Sequence, residues 1–389
     1  MKVAIAASGL SHITRGMEGW SVDIAQGLYA KGVDVTLFKG SGEIINEYEK
    51  VLPTLKRNAL FARLIGTITA RGGWRIGLGS APAIEAFVFG IQLLWHLRDG
   101  YDLLHIKQAS LAAFLLRAKK RGLINIPIAL SNGQIANEEF LSNFDYVQHL
   151  TPCLERIDST DIDLETIPEN RFVIPNFIDT DLFSPQDKRQ SRQHLGLPHD
   201  AVIVLTAGAV KKYHKRMDYF IEEMSELKNT TNIPLHFVVA GARDTESREL
   251  MEMGYERLGD NISFLFDVPR GKMPVLYSAA DVFVLCSLLE AFGTVLIEAM
   301  SCNIPVICHD HASFQWIVQD GGVHIDMAKK GALVDTLQDF LSHNTPGFDK
   351  IRSGRQRVID KFSQDVVISQ IMEMYETILN KRSISEKIS

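Results

Sequence analysis

The pattern that most constrains this chain is an alternation of short, continuously apolar, β-branched runs with segments of helical periodicity. Such runs occur at 2–7, 33–38, 102–106, 127–132, 146–151 and 171–176, and again at 201–208, 235–241, 262–266, 282–287, 305–310 and 323–326. A strand with one wet face alternates apolar and polar residues, whereas a strand apolar throughout is covered on both faces, as in parallel sheets flanked by helices. Two sets of about six such runs predict two doubly wound α/β domains. The length of 389 residues fits that count at roughly 150 residues per domain.

The break between the sets is expected in the polar, proline-containing stretch SPQDKRQSRQHLGLPHD. This predicts a first domain over 1–183, a linker over 184–200, a second domain over 201–364 and a closing segment over 365–389. The closing segment is an amphipathic helix with Val367, Ile371, Met374 and Ile378 on one face. A net charge of −6 argues against a general nucleic-acid binder. Cys153, Cys286, Cys302 and Cys308 are scattered without a metal-ligand spacing, which suggests reduced structural thiols in a cytoplasmic protein. The N-terminal apolar stretch is too short for a secretory signal, and Ala83 to Leu97 carries Glu85, Gln92 and His96, so neither is expected to enter a bilayer.

One region departs from the acidic balance. Lys56, Arg57, Arg63, Arg71 and Arg75 lie in a stretch without acids from Val51 to Ala83, with Leu60, Phe61, Leu64, Ile65 and Ile68 interleaved at near-helical spacing. Two readings stand side by side: a solvated helix face, or a peripheral contact of residues 56–75 with an anionic surface on the inner face of a membrane.

Ligands of doubly wound folds bind beyond the carboxyl ends of the strands, so candidate groups are those that follow strands. After the run at 201–208 come Lys211, Lys212, Lys215 and Arg216 at the entrance of a helix that begins near Arg216. Cations there oppose the helix dipole, and together with free N–H groups they suit an anion such as a phosphate. After the run at 282–287, Glu290 and Glu298 stand eight positions apart, about 12 Å along a helix, which is comparable to the separation of the two sugars of a nucleotide sugar. Ala291, Phe292, Gly293 and Thr294 would offer N–H groups at the start of that helix. Capping by Glu290 and solvation of Glu298 would explain the same spacing. Asp179-Thr180-Asp181 reads as a turn, His309-Asp310-His311 lacks a third ligand, and no metal site is expected.

EAFGTVLIE at 290–298 resembles the E-x7-E signature of retaining GT-B glycosyltransferases of family 4 (glycosyl transferases group 1). FVIPNFIDTDLF (172–183), LTAGAVKKYHKRMD (205–218), SCNIPVICHD (301–310) and the opening Arg15-Gly16-Met17-Glu18 are similar to further segments of that family, in the same order. The resemblance implies a GT-B fold: two facing Rossmann-like domains, acceptor on the first and nucleotide-sugar donor on the second, with the C-terminal helix crossing back. It also implies transfer of a sugar to an acceptor hydroxyl with retention of configuration, without metal or cofactor. Carried over by position, Gly16 would lie against the donor phosphate and Lys215 would neutralise the leaving diphosphate. Glu290 would bind the transferred sugar and Glu298 the ribose. The backbone from Phe292 to Val295 would border the diphosphate, and Val268 would lie near the base.

The sequence also departs from the family. Ala209 stands where an arginine is frequent, leaving Lys211 or Lys212 to supply a second cation, and Arg216 stands where glycine is usual. His105 is kept as a candidate catalytic contact, whereas Lys107 and Asn132 replace histidines of many relatives. His12 and Arg15, in the first loop, are weaker candidates for donor or acceptor contact. The competing functions are a sugar-nucleotide epimerase, a phosphorylase and a non-catalytic nucleotide-sugar binder on the same fold. A dehydrogenase is opposed by the missing glycine fingerprint. Donor base, sugar, acceptor (sugar, lipid-linked or small molecule) and oligomeric state are not encoded in these motifs.

Overall fold

The structure, a computed structural model, describes residues 1–12, 16–69, 79–133, 138–152, 168–342 and 352–388. The chain forms two compact units, Met1–Pro175 with Val367–Ser389, and Asn176–Val366.

Unit 1 is built on a parallel sheet of β1 (Lys2–Ala7), β2 (Asp34–Lys39), β3 (Glu49–Val51), β4 (Leu103–Ile106), β5 (Ile128–Asn132), β6 (Tyr146–His149) and β7 (Arg171–Val173). The spatial order is β3-β2-β1-β4-β5-β6-β7. Unit 2 holds a parallel sheet of β8 (Val202–Ala207), β9 (Leu235–Gly241), β10 (Ile262–Phe266), β11 (Val282–Leu285), β12 (Val306–His309) and β13 (Gly322–Ile325). Its order is β10-β9-β8-β11-β12-β13. Both are doubly wound orders that reverse direction beside their first strand, between β1 and β4 and between β8 and β11. The central strands are buried along their lengths, as in β1 from Val3 to Ala7 and β11 throughout, which is why their sequences are apolar without alternation.

The one strand without an apolar run is β3. It is a three-residue edge strand, Glu-Lys-Val, and the Lys39 ammonium meets the Glu49 carboxylate at 2.6 Å between it and β2. A strand stabilised by an ion pair leaves no hydrophobic trace to read.

The stretch expected to be a linker is folded into unit 2. Asp187 caps the helix Lys188–Leu195, and Gly196 closes it with φ 65°. Arg192 is buried, donating to the carbonyls of Ala279 (2.9 Å), His199 (2.7 Å) and Ala201 (3.0 Å) and to Asp281 Oδ2 (2.6 Å). Most of its polar side chains are exposed, but the helix and the buried Arg192 tie it into unit 2, and the units divide earlier, after Pro175. Within unit 2, Ile178 pairs with Ser363 in a parallel bridge, its N–H donating to Phe362 O at 3.0 Å. The helix Gln364–Ile388 then joins unit 1 from Val367, with Val367, Ile371, Met374 and Ile378 all buried.

Among the described residues no helix is long and apolar enough to cross a membrane. Cys286, Cys302 and Cys308 are buried free thiols, and Cys153 lies outside the described residues.

Candidate active site at the switch point of unit 2

Adjacent parallel strands bring their carboxyl ends together, and β8 and β11 are neighbours with Val204 beside Val282 and Leu205 beside Phe283. The loops that follow them therefore converge, although they are far apart in sequence. The loop after β8 is tightly wound: Lys215 N–H donates to Tyr213 O (2.9 Å) and Arg216 N–H to Lys212 O (2.8 Å). His214 and Arg216 adopt left-handed backbone, at φ 71° and 52°. This winding delivers the Lys215 ammonium to Glu290, in the loop after β11, where it donates to Oε1. Ser287 Oγ donates to the same oxygen at 2.8 Å, and His214 Nε2 stands 3.5 Å from Oε2.

Burial by itself would raise the Glu290 carboxyl pKa. The His214 hydrogen bond and the charge and hydrogen bond of Lys215 overcome it and bring the pKa down to about 2. Glu290 is thus a fixed anion near neutral pH. It accepts hydrogen bonds and cannot act as a proton donor.

Close backbone approach shapes the floor. A side chain on Gly241, at the end of β9, would meet Gly208 O at 1.7 Å, and one on Gly208 would crowd the Lys215 stem at 3.3 Å. Both glycines have positive φ, 146° and 156°, so the strand ends can meet only without side chains there. Gly293, at φ 79°, is the N-cap of the helix Thr294–Ser301 and has no side chain with which to cap its first N–H groups.

Residues 187–357 match the family model described as Glycosyl transferases group 1. The segment 187–357 is a glycosyl transferases group 1 domain. Relatives of the chain include D-inositol 3-phosphate glycosyltransferase of Corynebacterium aurimucosum, 27% identical over 73% of this chain and 68% of that protein. Phosphatidyl-myo-inositol mannosyltransferase of Mycobacterium leprae is 25% identical over 74% of this chain and 77% of that protein. Against D-inositol 3-phosphate glycosyltransferase 1 of Catenulispora acidiphila the chain spans only about half, 52%, of the relative's length at 26% identity. Among solved structures, sucrose-phosphate synthase of Thermosynechococcus elongatus superposes with TM-score 0.78 at 20% identity, covering 98% of this chain and 99% of that one. Anabaena HepE in complex with UDP and glucose gives 0.72 at 15% identity, over 97% and 100%. These likenesses establish the GT-B fold.

Within the group 1 domain the departures from the family pattern find physical explanations. Arg216, where glycine is usual, occupies the left-handed conformation that glycine adopts without strain. It is held there by donating to Met327 O at 2.6 Å and by stacking 4.1 Å over the Tyr219 ring. Of the two proposed substitutes for the missing arginine, Lys212 is turned away to Glu249, and its backbone N–H donates to Glu246 at 2.8 Å. Lys211 makes no ion pair among the described residues and is half-buried beside the loop.

Glu298 sits in the second turn of its helix with little exposure. Tyr277, fully buried, donates to its Oε2 at 2.7 Å. Phe292 is a core residue, its ring edge-on to Phe362 at 5.7 Å, so only its backbone borders the site. Ala291, Thr294 and Val295 are half-buried, and Thr294 Oγ1 accepts from Asn176 at 3.3 Å. Val268 is half-buried just beyond β10, after Asp267 in left-handed backbone at φ 52°. The sequence reading did not include Ser287, His214 or Tyr277. Their types carry no motif, and only the fold turns them onto the two carboxylates.

The unit 1 candidates fare differently. His105 was expected to contact substrate, but it is wholly buried on β4. Its Nδ1 is 2.7 Å from the Tyr375 hydroxyl of the C-terminal helix, and its ring stands edge-on to Trp20 and Tyr375. Burial drives its pKa down to about 3, so the ring is neutral near pH 7 and is enclosed within unit 1. His12 is held between Ser41 (3.0 Å) and the buried Glu85 (2.8 Å), which also accepts from Arg57 and Ser8. It secures the loop after β1 rather than presenting a free ring. Lys107 is buried with its ammonium 4.9 Å over the Trp20 ring, and Asn132 is buried at the end of β5. Gly16 opens the helix Gly16–Ala30, and Arg15 lies outside the described residues.

Asp179 forms the expected turn, its Oδ1 accepting from the N–H groups of Asp181 (2.9 Å) and Leu182 (3.0 Å). Among the described residues no group of three His, Cys, Asp or Glu side chains forms a metal site.

Proposed function

We propose that this chain is a retaining hexosyl- or pentosyltransferase, moving a sugar from a nucleotide-diphosphate sugar to an acceptor hydroxyl. The observation that carries the reading is the Lys215–Glu290 pair at the switch point of unit 2, the place where doubly wound folds bind ligands. An ammonium has three donors, of which Glu290 takes one, so Lys215 retains capacity for diphosphate oxygens. Glu290, kept ionised, accepts from hydroxyls of the transferred sugar. Glu298, oriented by Tyr277, accepts from the ribose hydroxyls. The N–H groups of the helix Thr294–Ser301 and Lys211 add positive potential for the diphosphate.

The charge that develops in the reaction lies on the departing diphosphate, and preorganised cations and N–H groups lower that barrier most. In a same-face displacement the bond from the anomeric carbon to phosphate oxygen breaks. The acceptor oxygen bonds to that carbon, and its proton passes to the departing phosphate. No protein base or metal is part of this reading, and Glu290 is too acidic to be a proton donor for an epimerase-type step. Unit 1 is proposed to take the acceptor, and the reading includes a peripheral contact of residues 56–75 with an anionic membrane face in the cytoplasm. Nucleic acid has no part in it. Support comes from the family match and from relatives whose names specify glycosyl transfer.

The test is a thermal-shift panel of nucleoside diphosphates and nucleotide sugars, where a ligand at 100 times its Kd adds about 2.7 kcal/mol. NMR of the product's anomeric proton then reads the configuration. Absence of any shift across UDP-, GDP- and ADP-sugars would overturn the donor assignment, and an inverted product would overturn retention.

A further inference from the structure

The helix Leu60–Thr69 of unit 1 leaves its most apolar side chains in water. Leu60, Leu64 and Ile68 are 83%, 56% and 71% exposed, and their spacing of four residues aligns them as one outward stripe. The opposite side is anchored: Ala62 is fully buried, and the helix packs on Ala81–Leu97, which itself exposes Ile91 and Trp95 four residues apart. Isolated exposed leucines are ordinary, but an aligned stripe on a fixed helix is an interaction surface.

Its occupant follows from charge. No Asp or Glu occurs from Val51 to Ile84. The first acid beyond, Glu85, is completely buried and neutralised by Arg57, with guanidinium and carboxylate 2.6 Å apart. Lys56 is exposed just before the helix. A second copy of the chain meeting this face symmetrically would bring like cations together. An anionic bilayer offers opposite charge and an apolar layer at once.

We propose that the stripe Leu60–Leu64–Ile68 inserts into an anionic lipid surface, with Lys56 at the headgroup level. This deepens the membrane-contact part of the proposed function, on which it rests. It also revises that part, because Arg57 is spent on Glu85 and insertion of apolar side chains, rather than five free cations, holds the protein to the surface.

The experiment is co-sedimentation of the full chain with equimolar phosphatidylglycerol/phosphatidylcholine vesicles and with phosphatidylcholine vesicles, with no donor or acceptor present, so that its outcome is independent of sugar transfer. Wild type should pellet with the anionic vesicles only. The triple variant Leu60→Ser, Leu64→Ser, Ile68→Ser, with unchanged circular dichroism and Tm as expected for exposed positions, should partition at least ~10-fold less. Lys56→Ser should partition only a few-fold less, an effect erased by salt. Equal pelleting of wild type and triple variant, or no pelleting of wild type, would overturn the proposal. So would a wild-type dimer in solution that the triple variant converts to monomer, because the stripe would then be a protein interface.

Discussion

The two units share a strand order yet use charge in opposite ways at their strand ends. In unit 2 the polar groups after β8 and β11 face one another at the edge of the fold: Lys215, Glu290, His214 and Ser287 form one partly accessible cluster. In unit 1 the corresponding groups are sunk into the domain. His105 serves the C-terminal helix, His12 and Arg57 serve Glu85, and Lys107 lies against Trp20. The same topology therefore carries a partly accessible charged cluster in one unit and enclosed pairs in the other. Topology marks where a ligand binds, but satisfaction of the side chains marks whether they are available to it.

That contrast is broken most directly at Lys215. Lys215→Ala should lower kcat by about 10²–10³, the size of losing one donor to developing charge, with little change in Tm. An unaltered kcat at saturating donor would mean that the unit 2 cluster is structural too. Glu290→Gln should lower kcat by about 10², because its contact strengthens in the transition state, whereas Glu298→Gln should raise the donor KM by about 10-fold and spare kcat. The reverse pattern would exchange their roles.

In unit 1 the effects should fall on stability instead. Tyr375→Phe leaves His105 Nδ1 buried without its partner at a cost of about 1–3 kcal/mol in urea unfolding. The kcat of the folded fraction should be unchanged, and a fall in kcat at unchanged stability would return His105 to the site.

A further effect on stability is a pH slope. Burial pushes the Lys107 ammonium down to about 7 against a nearby Asp23 charge, from an ordinary 10.5. Between those values the unfolded chain binds the extra proton, so unfolding free energy rises with pH across that window. Wild type should gain Tm relative to Lys107→Met from pH 7 to about pH 10, and parallel profiles would show that the amine is solvated.

Legibility from sequence tracked the range of the interactions. The strands of both sheets except β3 announced themselves through continuous apolar runs, which in central strands such as β1, β4, β5 and β11 are buried along nearly their whole length. The closing helix expected over 365–389 was visible because its buried face repeats every few residues. The stretch at 184–200 is polar because most of its side chains are solvated, and what ties it to unit 2 is Arg192, whose partner Asp281 is too distant in sequence for composition to show.

The family resemblance names Lys215, Glu290 and Glu298 together, whereas loops and spacing alone leave several cations and a capping role open. The parallel-strand pattern implies only that groups following strands converge. Whether a polar group would be exposed or enclosed depended on partners far along the chain: Tyr375 for His105, Glu85 for His12, Glu249 for Lys212. Local periodicity and backbone preference are written residue by residue, so two parallel sheets and their strand-end motifs followed from the sequence. Burial and pairing belong to surfaces that exist only after distant elements have packed, and so the division into available and enclosed groups emerged with the folded molecule.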